Sequence, residues 1–374
     1  MHRIMGNLRL GGMAIRYSQF APQLYNYCLS LGFSRRLMMP SRAFCSDESQ
    51  GYPVILLAQH FGTFPFDHGR VGGKVATDRH GPHAHHGEDL VIVQASHVGY
   101  DAERQNFGVY RRARNAQGGF GANCGKLSAV LHWYEQEYAD AGRHVQLQRL
   151  EDAPVVTIDN ALLDTNRAEG LFLHLDRLID PAKPAPLRIM STSKSSTPAP
   201  ALLALVAAEE WQNPARNLGN RLPADFFYFR RQPVIGPEGH DLLEEALAPA
   251  MPVLVTSPNP TLDAARYHTQ IEFDRTYRSI RREPAYESKN VLFVSGLNID
   301  VSPCDDLLFP LTKFVPWAAY AQLRDGRSIL LEQDALFEAL TAQPTQNPDR
   351  ISFDAAIATM AEAEAIELPF VDRD

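Results

Sequence analysis

The sequence predicts an α/β fold with a mostly parallel sheet flanked by helices, and three observations carry that prediction. Pro53-Val-Ile-Leu-Leu-Ala58 and Asp89-Leu-Val-Ile-Val-Gln94 are short, continuous apolar runs, as expected of strands buried on both faces. Residues 126–139 bring Leu127, Val130, Leu131 and Tyr134 to one face at helical spacing, so helix alternates with strand. The chain has 374 residues, 45% of them hydrophobic, enough for one large domain or two medium ones.

At the N-terminus, Arg3, Arg9, Arg16, Arg35, Arg36 and Arg42 precede the first acidic residue, Asp47. That bias is shared by organelle transit peptides, but no apolar core or small-residue cleavage site accompanies it. The segment reads as a helical arm, with its helix over 13–31, followed by a strand ending at Arg42-Ala-Phe. Strands at 53–58 and 89–94 each run into a polar, Gly-containing loop, Gln59-His-Phe-Gly62 and Ala95-Ser-His-Val-Gly-Tyr-Asp101. Ligands in open α/β sheets bind beyond the carboxyl ends of strands, so chemistry is expected in these loops. After the helix at 126–139 comes a strand at 153–158.

Residues 183–200 are rich in Pro, Ser and Thr. That composition marks a linker or long loop over 186–200, separating a first domain, 1–185, from an α/β region at 201–374. Strands at 251–256 and 290–295 and a helix at 352–365 are expected there. Leu90-Val-Ile-Val-Gln-Ala-Ser-His matches Asn290-Val-Leu-Phe-Val-Ser-Gly-Leu in pattern, and Cys304-Asp-Asp matches Cys45-Ser-Asp. The second region thus has the pattern of a degenerate duplicate, although two buried strands also match by chance.

Bulk properties exclude several functions. A formal charge of −8 and a pI near 5.9 argue against a nucleic-acid partner, which requires clustered Lys and Arg. The basic stretch Arg111-Arg112 with Arg114 is too short to change that. No apolar run approaches the roughly 18 residues of a membrane span. The four cysteines are unevenly spaced, unlike a disulfide framework, and suit a reducing, cytoplasmic compartment.

Three residues stand out as metal ligands. Cys45 opens Cys-Ser-Asp after a strand; His97 follows a strand in Ser-His-Val-Gly; Cys124 precedes a helix in Asn-Cys-Gly. Two thiolates and an imidazole leave one tetrahedral position of Zn2+ open, as in catalytic zinc sites. A helix N-terminus also favours the thiolate of Cys124. Alone, a bare Cys is more often a small buried hydrophobe. Cys28, among Leu24, Tyr25 and Leu29, reads as packing. His80, His83, His85 and His86 read as a surface loop that binds metal adventitiously or shuttles protons near pH 6.5.

The wording Cys-Ser-Asp, Ser-His, Cys-Gly resembles the metal site of β-carbonic anhydrases, which share the ligand order Cys, His, Cys. In the ordinary β class two residues separate the His from the second Cys; here 26 intervene. That insertion, with His-Val-Gly and the preceding Gly62-Thr-Phe-Pro65 and Gly72-Gly73 loop, resembles the limiting-CO2-inducible B/C family. Those proteins are β-carbonic-anhydrase-like and related to the theta class. The resemblance covers about residues 40–135, extends more weakly to about 180, and does not reach 200–374.

It implies a β-carbonic-anhydrase-like fold in which Cys45, His97 and Cys124 bind zinc and CO2 and bicarbonate are interconverted. Asp47 would orient hydroxide at the metal or cap the metal. In β enzymes an Arg two residues after that Asp holds it; here position 49 is Ser, and Arg70 is the expected substitute. CO2 calls for a dry niche, for which Phe61, Phe64, Phe66 and Val98 are candidates. The resemblance also implies a homodimer. A second reading is a catalytically silent zinc protein that binds bicarbonate or a partner in inorganic-carbon handling. A third, a cysteine hydrolase, lacks a local signature, and a zinc deaminase lacks His-x-Glu and Pro-Cys-x-x-Cys.

Overall fold

The structure is a computed structural model that describes residues 8–70, 74–75, 89–112, 119–232, 240–302 and 310–363. The chain forms two compact units. One is Ala122–His268; the other joins Leu8–Gly121 to the part beginning at Thr269.

In Leu8–Gly121 the elements are β1 (Ile15–Arg16), α1 (Tyr17–Ser30), β2 (Met38–Ala43), α2 (Gly51–Phe61), β3 (Phe66–Asp67) and β4 (Asp89–Asp101). The run at 53–58, expected as a strand, is the body of α2. A run with no polar interruption has no period, so strand and buried helix look alike in it. The deciding signal lies downstream: Gly62 adopts φ 76° and its N–H bonds Ala58 O, closing the helix as a left-handed cap. The N-terminal helix starts at Tyr17, because Ile15 and Arg16 are drawn into strand pairing with Phe314 and Lys313.

Ala122–His268 holds α3 (Gly125–Arg143), β5 (Val145–Leu150), β6 (Ala153–Asp159) and β7 (Ser193–Ser196). The segment expected to be a linker is therefore partly sheet. Ser193, Ser195 and Ser196 are buried, β7 pairs antiparallel with β6, and Thr157 Oγ1 meets Ser195 Oγ at 2.8 Å. Hydroxyls that satisfy one another make a strand out of a composition that reads as loop. The run at 251–256 is also helical, α4 (Met251–Val255), with Pro252 in its first turn, where a missing N–H costs nothing.

Further along the chain come α5 (Pro260–Ile280), β8 (Asn290–Val301), β9 (Leu311–Gln322), β10 (Ser328–Leu331), α6 (Gln333–Thr341) and α7 (Phe353–Ala363). The main sheet runs β1-β9-β8-β4-β2-β3, with β10 on β9. Its central strands β8, β4, β2 and β3 are parallel, and β9 is antiparallel to β8. The two strands with matching sequence patterns, β4 and β8, lie side by side in continuous register from Asp89↔Asn290 to Tyr100↔Val301.

Period-two alternation sends their side chains to two faces. Val91, Val93, Ala95, Leu292 and Val294 pack on one face with Phe20 and Leu24 of α1, Leu57 of α2 and Leu336 of α6. Leu90, Ile92, Val291 and Phe293 pack on the other with Phe273 and Ile280 of α5, Phe273 stacking on Phe293 at 5.3 Å. Each such side chain contributes about 1.5–3 kcal/mol of burial. Coverage on both faces explains why β4 and β8 read as unbroken apolar runs. Among the described residues no helix is long and apolar enough to cross a membrane.

Candidate metal centre

Cys45 lies two residues beyond β2, whose pairing with β4 ends at Ala43↔Gln94. His97 was expected in a loop, but β4 continues to Asp101 and carries it as a strand residue. Its parity places it on the face of Val91, Val93 and Ala95. Cys124 is the N-cap residue of α3, as its position before the helical run predicts. The ligand atoms of Cys45, His97 and Cys124 all lie within 4.8 Å of one another, and the three residues are buried. A soft-to-borderline S, N, S donor set of this size fits zinc and leaves a fourth position.

Around His97 the structure adds residues the sequence did not single out. His97 Nδ1 is 2.8 Å from Asp300 Oδ2. Asp300 also accepts hydrogen bonds from Ser49 Oγ at 2.8 Å, Gln50 Nε2 at 2.9 Å and Thr312 Oγ1 at 2.9 Å. Beyond them, Asn298 Nδ2 donates to Gln50 Oε1 at 2.7 Å and Tyr17 O–H to Asn298 Oδ1 at 2.9 Å. A faint signal was present: Asn298 and Asp300 interrupt an apolar strand at period two, on one face.

Asp47 caps the short turn Glu48–Gln50, accepting from Ser49 N–H at 3.3 Å. Burial, reinforced by its contact with Glu48, pushes its carboxyl up to about 6. The guanidinium beside it belongs to Arg112, whose Nη2 is 3.7 Å from Asp47 Oδ1 and whose Nε bonds Glu48 Oε1. Tyr110 O–H donates to the same Glu48 oxygen at 2.6 Å, and Arg112 lies over the Tyr110 ring at 4.7 Å. The backbone of Arg70 pairs with Lys74, but its side chain lies outside the described residues. The bend of the chain from β4 brings Arg112 to Asp47.

The aromatic niche is not assembled as expected. Phe61 packs edge-on against Tyr25 at 5.4 Å in the α1–α2 core, and Phe64 is 64% exposed beside Phe353. Val98 is buried, with parity opposite to His97. Cys28 is core, as its neighbours indicated. His80, His83, His85, His86 and Cys304 lie outside the described residues.

No protein-family model matches the chain, and no curated protein matches it by sequence. Among solved structures, its neighbours are the limiting CO2-inducible protein LCIB and a homolog of it, PtLCIB4. LCIB is 11% identical with a TM-score of 0.47, over 86% of this chain and 96% of that one. PtLCIB4 is 12% identical with a TM-score of 0.48, over 86% and 95%. Likenesses of this size carry no functional weight.

Proposed function

We propose that this chain is a zinc-dependent carbonic anhydrase of the β-like kind, interconverting CO2 and bicarbonate. The observation that carries the reading is the convergence of Cys45, His97 and Cys124, buried and within 4.8 Å, with Asp47 two residues beyond the first. Zinc, when bound, supplies a Lewis acid that lowers the pKa of water toward about 7. Cys45, His97 and Cys124 hold the ion. Ser49 N–H and the Arg112 guanidinium fix the Asp47 carboxylate, so Arg112 takes the part of the Arg absent from position 49. A homodimer and a cytoplasmic location go with this reading, and light scattering and localisation of the tagged chain test them.

Two observations favour a catalytically silent zinc protein instead. Arg112 is shared with Glu48, and Ser49 is committed to Asp300. Metal analysis with stopped-flow CO2 hydration separates the readings. Near-stoichiometric zinc with metal-dependent hydration supports the enzyme. Zinc without hydration supports the silent protein, and protein lacking zinc refutes both.

A further inference from the structure

Asp300 is fully buried, and a carboxylate can only accept hydrogen bonds. Its partners fall into order from that fact. Gln50 must turn its amide nitrogen to Asp300, at 2.9 and 3.0 Å from the two oxygens. Gln50 Oε1 then faces Asn298, whose Nδ2 donates to it at 2.7 Å, and Asn298 Oδ1 is left to receive the Tyr17 hydroxyl. Reversing Gln50 would set an oxygen against Asp300, and reversing Asn298 would set one against Gln50 Oε1. The Ser49 hydroxyl, from the same turn as Gln50, and the Thr312 hydroxyl, from β9, donate to the same carboxylate. By the same rule, the contact of His97 Nδ1 with Asp300 Oδ2 requires an N–H at Nδ1. The 3.3 Å approach of Gln50 Nε2 to that nitrogen is then a packing contact between two donors.

We propose that Asp300 is the positioning residue of the metal centre, holding His97 as its Nδ1–H tautomer so that Nε2 is presented to zinc. The proposal rests on the zinc reading above. It gives the C-terminal part of the chain, which among the described residues adds no ligand to Cys45, His97 and Cys124, a defined share in the centre. A ligating imidazole whose distal N–H is held by a carboxylate is oriented and made more basic, and loss of that partner typically costs 10- to 100-fold in metal affinity. The surrounding donors keep the carboxylate from turning: Ser49 and Gln50 of one turn and Thr312 of β9 fix a group that touches one ligand.

The test uses the full chain. Zinc affinity is measured by chelator competition for wild type, Asp300→Asn and Thr312→Val, with the thermal midpoint of each metal-free protein measured alongside. Asp300→Asn is expected to weaken zinc about 10- to 100-fold. Thr312→Val strips one bond from the same carboxylate but leaves it on His97, and is expected to change affinity by less than about threefold. A purely structural role predicts instead that affinity follows the metal-free midpoints, whichever residue is changed. Nitrogen-resolved NMR of the zinc-loaded wild type should show an exchange-protected ring proton on His97 Nδ1. That proton on Nε2, or Asp300→Asn binding zinc within about threefold of wild type, overturns the proposal. Should Asp300→Asn not fold, the wild-type spectrum decides alone. Wild type that takes up no zinc overturns the zinc reading itself, a distinguishable failure.

Discussion

Acidification should destabilise the metal-free protein through His60, a residue remote in role from the metal centre. His60 lies in the last turn of α2, is 6% exposed, and accepts from Asn347 Nδ2 at 3.3 Å through Nδ1 and at 3.0 Å through its carbonyl. Burial, with the positive charge of Arg350, pushes its pKa down from 6.5 to about 4. Protonation would also place an N–H against the Asn347 donor. The unfolded chain therefore takes up this proton near pH 6.5, whereas the folded protein refuses it until about 4. The contribution is intact above 6.5 and is lost as pH falls toward 4, because the unfolded state binds more protons across that window. The limiting loss is 2.5 units at 1.36 kcal/mol each, about 3.4 kcal/mol, of which about 2 kcal/mol is reached by pH 5. Urea unfolding at pH 7.5, 6 and 5 with chelator present measures it, comparing wild type with His60→Gln. Wild type should lose about 2 kcal/mol more than the variant between the extremes. Parallel pH profiles would refute the reasoning, since shared contributions from other groups cancel in the comparison.

Three further outcomes follow from the structure. Cys124→Ser should cut bound zinc below about half an equivalent while the protein stays soluble, read by metal analysis; full zinc occupancy would remove Cys124 from the ligand set. Arg112→Gln should slow CO2 hydration about tenfold or more with zinc content unchanged, and Arg112→Lys should not restore it, because an ammonium lacks the fork that spans Asp47 and Glu48. Gly142→Ala should destabilise by about 3 kcal/mol or more, since its Cβ would stand 2.2 Å from the Gly219 carbonyl oxygen. Gly51→Ala, with open space around its Cβ, is the neutral control in the same denaturation assay.

Legibility in the sequence tracked the kind of physics involved. The helix at 126–139 was readable because one of its faces is wet and the other dry, and α3 is found at Gly125–Arg143. The runs at 89–94 and 290–295 were readable as strands, but not their length. Asp89–Asp101 and Asn290–Val301 continue through polar residues that are buried only because they bond one another. The runs at 53–58 and 251–256 misled for the converse reason: uniform burial erases the period that tells helix from strand. The three candidate ligands were legible because Cys and His are rare and stood in distinctive wording, and the structure brings them together. Asp300 and Arg112 were not. Their parts are defined by contacts 203 and 65 positions away along the chain, to His97 and Asp47, and local pattern carries no such information.

The position of the centre follows from how β4 and β8 change character along one face. Val91, Val93 and Ala95 give way to His97, and Leu292 and Val294 give way to Asn298 and Asp300, with no break in register. The apolar halves are packed by α1, α2 and α6 and have little freedom to shift, since interiors of this density transmit small displacements rather than absorb them. The polar halves continue the same two backbones, so His97 and Asp300 inherit that rigidity through main-chain hydrogen bonds rather than through packing of their own. The turn Glu48–Gln50 then closes over the polar end, bringing Ser49 and Gln50 to Asp300 within five residues of Cys45. A single face thus supplies both the core that fixes the strands and the carboxylate that fixes the ligand. Core substitutions such as Val93→Ala should therefore reach the metal centre through loosened strand positions, although they touch none of its residues.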